Sequence, residues 1–316
     1  MKITVLDADT LGRDLDLSPL SACGDVTVYP TTAPEEIGKR LEGADAVLVN
    51  KIRLNSENLA NNTTLKLICV AATGYDNIDV AYCRSRGIAV CNVVGYSTNS
   101  VAQLTLSMAL SLCTHLPEYT ESVRDGRYTE GGVANRLIPV YREIAGKTWG
   151  IVGYGNIGAQ VGAVATAMGC RVLAFKRTPV PGVECTDLDT LCRESHIISV
   201  HLPLSDKTRG IIGERELKLM NPDAILINVA RGAVTDEKAV AEAILNGRIG
   251  GLGADVYSVE PMPKDHPFYP IRKMANVCLT PHMAWGSYEA RCRCLGEIVK
   301  NIEAFKRGEL RSRVDV

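Results

Sequence analysis

The sequence predicts an α/β protein with two domains, each built around a doubly wound parallel sheet. Three observations support this prediction: a length of 316 residues, continuous apolar runs, and helical patterns between those runs. At roughly 150 residues per domain, this length corresponds to about two domains. Continuous apolar runs favour strands buried on both faces, and intervening helices favour parallel strands joined by crossovers. Either domain can bury a sizeable core without a disulfide or metal.

Two series of apolar runs define the predicted strands. The first series predicts five strands, in KITVLDA, DVTVY, DAVLVN, LKLICVAA and IAVCN. The second predicts six or more, in TWGIVG, RVLAF, HIISVHL, AILINVA, IGGLGADV and NVCLTPH. A helical stretch over 99–115 joins the two series, and a helix over 287–305 is expected to return to the first domain. The predicted domains are therefore 1–98 plus 286–316, and 99–285.

Composition and charge exclude several classes of protein. Lys and Arg number 35 and Asp and Glu 36, so the net charge of −1 lacks the basic footprint of a nucleic-acid-binding protein. No apolar run reaches the ~18 residues that a membrane-spanning helix needs. The start, MKITVLDADT, has an acidic residue within a short apolar stretch and does not resemble a signal peptide. We therefore expect a cytoplasmic protein with no membrane partner.

The eleven cysteines are expected to be reduced thiols. Their number is odd, no C-x-x-C pair occurs, and most of them lie in apolar runs. Cysteines in that setting usually act as small buried hydrophobes, and a disulfide framework is unusual in a chain of this length. This agrees with a cytoplasmic location. No metal site is predicted.

The glycine-rich turn GYGNIG at 153–158 is the clearest motif. It follows the strand run 148–152, precedes a helical stretch over 159–168, and a second strand run follows over 171–175. Gly153, Gly155 and Gly158 would permit a tight turn, close approach of a pyrophosphate, and packing of the helix on the strand. The motif alone could be a structural turn, but strand–turn–helix–strand is the context of dinucleotide binding. The sequence therefore predicts a Rossmann-like dinucleotide site here, with the phosphates at the helix N-terminus.

The end of the second strand run suggests which dinucleotide binds. An acidic residue is expected there to accept hydrogen bonds from the ribose hydroxyls of NAD. This chain has Lys176, Arg177 and Thr178 instead. Two cations and a hydroxyl suit a 2′-phosphate, because Arg can bind it through two hydrogen bonds. NADP(H) is therefore the favoured cofactor. The alternative is that both cations are merely solvated and NAD(H) binds without a carboxylate partner.

Three polar residues follow strand runs of the second domain: Arg231 after ILINVA, Glu260 after GADV, and His282 after VCLT. Ligands of open parallel sheets bind outside the carboxyl ends of the strands, so these residues predict an active site beside the glycine turn. Each has another reading, because a lone His is often a satisfied core or surface residue and Arg231 or Glu260 could be solvated. Reduction of a ketone needs a proton donor such as His282, a carboxylate such as Glu260 to orient it, and a cation such as Arg231 to hold and polarise the substrate.

At these residues the chain resembles the D-isomer-specific 2-hydroxyacid dehydrogenases, most closely their glycerate dehydrogenase and hydroxypyruvate reductase branch. The resemblance covers nearly the whole chain. It rests on AATGYDNIDV, NVVGYSTNSVAQLTLSMALSL, GYGNIG, NVARGAVTDEKAV, GADVYSVEPM and TPHMAWGSYEA. It implies two Rossmann-like domains with an interdomain cleft: a flavodoxin-like substrate domain at 1–98 plus 286–316, and a dinucleotide domain at 99–285.

The resemblance also implies roles for individual residues. Arg231 would bind substrate, Glu260 would support the base, and His282 would be the acid/base. Substrate contacts would further include Lys51, in a loop that would close over the substrate, the backbone N–H of Gly74, and Trp285. Cofactor contacts would come from Thr73, Asn156, Ile157, His201, Leu202, Pro203, Val229, Ala230, Arg231, Asp255 and His282.

The implied activity is hydride transfer between a nicotinamide cofactor and a small 2-keto or 2-hydroxy acid, above all reduction of hydroxypyruvate or glyoxylate. Other D-2-hydroxy acids, such as D-lactate or 3-phosphoglycerate, are alternatives. A different class of function is a dinucleotide-sensing corepressor of the same fold, which usually has an extended disordered tail. The chain ends at Val316 without such a tail, which favours the enzyme. The resemblance also implies a homodimer, formed through a surface arm around 115–145.

Overall fold

The computed structural model describes residues 1–316 and divides into two compact units. The first unit is Met1–Ser97 with Trp285–Val316, and the second is Thr98–Ala284. The predicted domain boundaries differ from these limits by one residue at each position. Trp285 therefore belongs to the first unit, whereas the sequence prediction had assigned it to the second domain.

The chain forms twelve strands and eleven α-helices. The strands are β1 (Lys2–Val5), β2 (Asp25–Val28), β3 (Ala46–Val49), β4 (Leu67–Val70), β5 (Ala89–Cys91), β6 (Thr148–Val152), β7 (Arg171–Phe175), β8 (Glu184–Cys185), β9 (Ile197–Val200), β10 (Ile225–Asn228), β11 (Gly251–Ala254) and β12 (Val277–Leu279). The helices are α1 (Ile37–Arg40), α2 (Ser56–Leu59), α3 (Val80–Ser85), α4 (Thr98–Thr114), α5 (Leu116–Arg124), α6 (Arg127–Glu130), α7 (Asn156–Ala167), α8 (Leu188–Glu194), α9 (Glu214–Leu219), α10 (Glu237–Leu245) and α11 (Tyr288–Lys306).

The first unit contains a five-stranded parallel sheet in the order β2-β1-β3-β4-β5. This is the flavodoxin-like order, in which the direction of winding reverses between β1 and β3. Strands β3, β4 and β5 are buried along their whole length, as their continuous apolar runs predict. Helix α11 contributes Ala290, Leu295 and Ile298 to one of the cores of this unit, as expected for a returning C-terminal helix.

The second unit contains a seven-stranded parallel sheet in the order β12-β11-β10-β9-β6-β7-β8. Counted from β6, this is the Rossmann order with one further strand, and winding reverses between β6 and β9. The register pairs Val152 at the end of β6 with Val200 at the end of β9. The segments that follow these two strands therefore meet at the point where such sheets bind ligands.

The cysteines form no disulfide. All eleven cysteines are free thiols, and seven of them are buried. Burial raises the pKa of Cys83 and of Cys91 to about 11, which keeps both thiols protonated near neutral pH.

None of the helices is both long and apolar enough to cross a bilayer.

Candidate active site

The glycine turn has the geometry of a dinucleotide-binding loop. Gly153 has φ +102°, and a Cβ there would lie 2.9 Å from the carbonyl carbon of His201. A Cβ on Gly158 would lie 2.3 Å from the carbonyl oxygen of Gly153, so only glycine permits this packing of α7 on the turn. Gly155, in contrast, has open space around its Cβ position. The turn therefore has no room for a side chain at Gly153 or Gly158. It is open at Gly155, where a pyrophosphate would approach.

The N-terminus of α7 fits an anionic group. Gly155 is the N-cap residue and provides no side chain to accept from the first helical amides. Those amides, from Asn156 and Ile157 onward, have no partner within the helix and lie at the positive end of its dipole. The predicted turn residues therefore form an anion cradle, which is the chemistry that holds a dinucleotide phosphate.

Beyond β7, the side chains of Lys176, Arg177 and Thr178 are all exposed. Neither Lys176 nor Arg177 forms a salt bridge within the chain. The amide of Gly153 donates to the carbonyl oxygen of Phe175, 3.1 Å away, which ties the end of β7 to the glycine turn. Two unpaired cations therefore lie next to the anion cradle.

The segment His201–Leu202–Pro203 follows β9 and lies beside the glycine turn. The imidazole of His201 faces inward, with Nε2 3.0 Å from Oγ of Ser199, which also accepts from Nε1 of Trp149. Burial lowers the pKa of His201 to about 3, so the ring is neutral near pH 7. His201 therefore cannot serve as a proton donor near neutral pH.

The structure brings Glu260 and His282 together. Nδ1 of His282 lies 2.6 Å from Oε2 of Glu260. The other carboxylate oxygen of Glu260 accepts from the amide of Tyr257 at 3.0 Å. Because an ionised carboxylate only accepts hydrogen bonds, Nδ1 of His282 carries the proton in this contact. The pair is partly exposed, with 24% of the His282 side chain and 30% of the Glu260 side chain accessible.

Arg231 is positioned by the end of β10. The side-chain amide of Asn228 donates to the carbonyl oxygen of Arg231 at 2.9 Å, and its oxygen accepts from the amide of Ala230 at 3.0 Å. Nη1 of Arg231 donates to the carbonyl oxygen of Ala230 at 2.8 Å. Val229 is buried beneath this turn. The backbone that carries the guanidinium is therefore fixed by one buried Asn.

Asp255 holds the segment around His282. This carboxylate is buried after β11 and accepts from the amides of Met283 and Ala284, each at 2.8 Å, and from the hydroxyl of Thr280. Burial raises its pKa, and these hydrogen bonds oppose that shift. His282 has φ +53°, an unusual conformation for a residue other than glycine. The clamp formed by Asp255 holds this conformation in place.

The remaining predicted residues lie in the first unit. Lys51 follows β3, and its amide donates to the carboxylate of Asp7 at 2.7 Å. Asp7 follows β1 and also accepts from the amides of Asn50 and Ile52, so it fixes the Lys51 loop at the reversal point of this sheet. The hydroxyl of Thr73, next to Gly74, donates to the carbonyl oxygen of Val93. The ring of Trp285 packs edge to face with Tyr96, with centroids 6.3 Å apart.

Several polar residues that support the site were not predicted from the sequence. Asp7 lies at the end of the first strand run, so the rule that singled out Arg231 and His282 could have found it. Glu237 and His266 had no comparable signal, because their contacts join segments that are distant in sequence.

Comparison with known proteins identifies the family. The family described as "D-isomer specific 2-hydroxyacid dehydrogenase, NAD binding domain" matches residues 106–284. This chain belongs to the D-isomer-specific 2-hydroxyacid dehydrogenase family. It is therefore an oxidoreductase that uses a nicotinamide cofactor, and the predicted family, fold class and enzyme class are confirmed.

Individual relatives match most or nearly all of the chain. It is 37% identical to a glycerate dehydrogenase of Methylorubrum extorquens over 316 residues, which covers 99% of each chain. It is 38% identical to a glyoxylate reductase of Thermococcus litoralis, covering 82% of this chain and 79% of that one. A solved structure of an acyclic imino acid reductase in complex with NADPH and D-Arg has a TM-score of 0.88 and 31% identity, covering 99% of this chain and 100% of that one.

Proposed function

We propose that this dehydrogenase reduces hydroxypyruvate, and also glyoxylate, with His282 as the proton donor. The main support for this proposal is the 2.6 Å contact between Nδ1 of His282 and Glu260. This contact lies at the edge of the sheet where the strands end and where Arg231 also lies. Similarity to a glycerate dehydrogenase and a glyoxylate reductase supports the choice of substrate, because oxidation of C2 of glycerate yields hydroxypyruvate.

In this proposal each residue of the triad has one task. The bound nicotinamide cofactor supplies the hydride. Arg231 pairs with the substrate carboxylate through its planar fork of donors and polarises the neighbouring carbonyl. Nε2 of protonated His282 donates its proton to the carbonyl oxygen, and the carboxylate of Glu260 stabilises the charged ring before that transfer.

The proposed substrate choice is tested by comparing kcat/KM for hydroxypyruvate, glyoxylate, pyruvate and 3-phosphohydroxypyruvate at one cofactor concentration. We expect the highest value for hydroxypyruvate and a product of the D configuration by chiral chromatography. A higher value for pyruvate or for the phosphorylated acid would instead assign the chain to lactate or phosphoglycerate chemistry.

We further propose that NADP(H) is the preferred cofactor. The two exposed, unpaired cations Lys176 and Arg177 lie beside the anion cradle, and no carboxylate follows β7 to accept from a ribose hydroxyl. The relative that was solved with NADPH supports this choice.

Arg177→Ala is therefore expected to raise the KM for NADPH at least about 10-fold, because a charge-assisted bond to phosphate is lost. The KM for NADH should stay within about twofold. Initial rates at varied cofactor concentration measure both values. Lys238→Ala removes an exposed cation from α10 and is the matched control. Equal effects of Arg177→Ala on both cofactors would assign NAD(H) instead.

We propose a homodimer that buries the arm after α4. Apolar side chains are exposed along this stretch: Leu116, Val123, Val133, Leu137, Ile138, Val140 and Tyr141. Several exposed apolar side chains along one short stretch of chain favour a protein contact there.

We also propose a cytoplasmic location, which the free thiols support.

Light scattering on a sizing column is expected to give about twice the chain mass of 34.1 kDa. The double substitution Leu137→Glu and Val140→Glu should produce monomers, because it places charges in the proposed contact. Leu310→Glu alters an exposed apolar residue outside the arm and should leave the dimer intact. A wild-type chain at monomer mass would contradict the proposed dimer.

A further inference from the structure

Glu237 and His266 form a buried pair that takes no part in the proposed proton transfer. Glu237 is the first residue of α10, and His266 lies 29 residues later in the chain. Their side chains are only 7% and 2% exposed, and Nε2 of His266 lies 3.1 Å from Oε2 of Glu237. Burial of two such groups is unfavourable unless their polar atoms are hydrogen-bonded. The bonds they make therefore show what the pair holds in place.

The tautomer of His266 follows from the hydrogen bonds of its two ring nitrogens. Nδ1 accepts from the amide of Phe268 at 3.1 Å, so the ring carries its proton on Nε2 and donates it to Glu237. The second oxygen of Glu237 accepts from the amide of Ser258 at 2.8 Å. Glu237 thus faces two donors, and each needs one carboxylate oxygen.

Ser258 belongs to the segment that carries Glu260. The preceding residue, Tyr257, donates its amide to the oxygen of Glu260 that does not face His282. The ring of Tyr257 packs at 89° on that of His266, with centroids 5.6 Å apart. Its hydroxyl donates to the carbonyl oxygen of Thr280 at 2.9 Å. Burial raises the pKa of Tyr257 to about 12, so the hydroxyl remains a donor near neutral pH.

The same segment also lies against the Arg231 turn. A Cβ on Gly232 would lie 2.1 Å from the carbonyl carbon of Tyr257 and 2.2 Å from the amide nitrogen of Ser258. There is no free space between these two stretches of backbone. A displacement of Tyr257 and Ser258 would therefore reach Arg231 as well as Glu260.

We propose that Glu237 and His266 are positioning residues that hold the 257–260 segment, so that Glu260 stays aligned with His282. Neither side chain contacts the reacting groups. The proposal rests on the proposed function of Arg231, Glu260 and His282. It adds that the alignment of these residues depends on a second, buried Glu–His pair.

The first test is Glu237→Gln, which keeps the shape of the side chain. An amide offers one acceptor and one donor group, so either Ser258 or His266 is left with its N–H facing another N–H. We expect kcat for hydroxypyruvate reduction to fall about 10–100-fold through misalignment of the reacting groups, with unchanged affinity for NADPH. Glu242→Gln, at an exposed position of the same helix, should have wild-type kcat.

The pH dependence separates positioning from a purely structural role. Glu260 accepts from Nδ1 of His282, and the buried carboxylate of Asp255 accepts from the amides of Met283 and Ala284 next to it. A nearby negative charge stabilises an imidazolium. A less well aligned Glu260 stabilises the imidazolium less, so His282 loses its proton at lower pH. Because ketone reduction needs protonated His282, the alkaline fall in rate should move to lower pH in Glu237→Gln. A substitution that only reduces stability would lower Tm and leave this profile unchanged.

A second pair of variants tests the donor on His266. In His266→Gln the amide nitrogen can occupy the position of Nε2 and still donate to Glu237, whereas in His266→Asn the side chain is too short. We expect His266→Gln to retain more of kcat than His266→Asn. Equal losses in both, with a lower Tm and an unchanged pH profile, would show that the residue is only structural and overturn the proposal.

Nuclear magnetic resonance titration of ¹⁵N-labelled histidines provides a readout that needs no turnover. The chain has five histidines, and the signal of His282 is assigned by its loss in His282→Asn. A lower titration midpoint for His282 in Glu237→Gln supports the positioning role even if the wild type reduces no 2-keto acid, which would overturn the proposed function alone. Wild-type kcat together with an unchanged midpoint in Glu237→Gln would overturn the positioning role alone.

Discussion

His282→Asn is expected to lower kcat for hydroxypyruvate reduction by about 10²–10⁴-fold, the usual contribution of a general acid. Asn tolerates the positive φ of residue 282, and its amide can replace Nδ1 in the contact with Glu260. The variant therefore keeps the backbone and removes only the proton donor at Nε2. Steady-state rates measure the loss, and fluorescence titration should show unchanged NADPH affinity.

His115→Asn is the matched control for this variant. His115 also has a positive φ, 51°, and lies in the same unit but outside the candidate site. It should reduce hydroxypyruvate at the wild-type rate. If His282→Asn retained kcat within a few fold of wild type, another group would have to donate the proton. His201 could not be that group, because burial lowers its pKa to about 3.

Arg231→Lys should lower kcat/KM for hydroxypyruvate by about 10²–10³-fold, although the positive charge is retained. A lysine ammonium cannot hold a carboxylate through two parallel bonds and polarise the adjacent carbonyl at the same time. The loss should appear both as a higher KM for the keto acid and as a lower kcat. Initial rates at varied hydroxypyruvate concentration and saturating NADPH measure both KM and kcat.

Arg209→Lys is an equivalent change at an exposed position of the same unit and should have no effect. A kcat/KM for Arg231→Lys within a few fold of wild type would show that the charge alone suffices. In that case the planar donor fork of Arg231 would have no role in the transition state.

The sheets could be predicted because their strands are continuous apolar runs. β6 and β7 begin and end at the predicted residues, and α11 differs by one residue from its prediction. β8 was not predicted, because its two residues, Glu184 and Cys185, form no apolar run. The short helices α1, α2 and α6 have four residues each, too few to show a helical period.

The reacting residues could be proposed from the sequence because each follows a strand of a parallel sheet. The contacts that hold these residues in position could not be predicted from the sequence. The bonds from Asp255 to Met283 and Ala284, from Glu237 to Ser258, and from Asp7 to Lys51 join residues that are 21 to 44 positions apart. No periodicity marks such pairs, because they depend on where two loops meet after folding.

The most direct test of the central claim is the initial rate of hydroxypyruvate-dependent NADPH oxidation by the purified chain, with NADH in parallel and glyoxylate as second substrate. We expect rapid turnover of hydroxypyruvate, faster with NADPH than with NADH. Faster turnover with NADH would keep the dehydrogenase and contradict the assignment of Lys176 and Arg177. No turnover of either keto acid with either cofactor would contradict the proposed reaction, and binding of short peptide motifs would then support a dinucleotide-sensing corepressor.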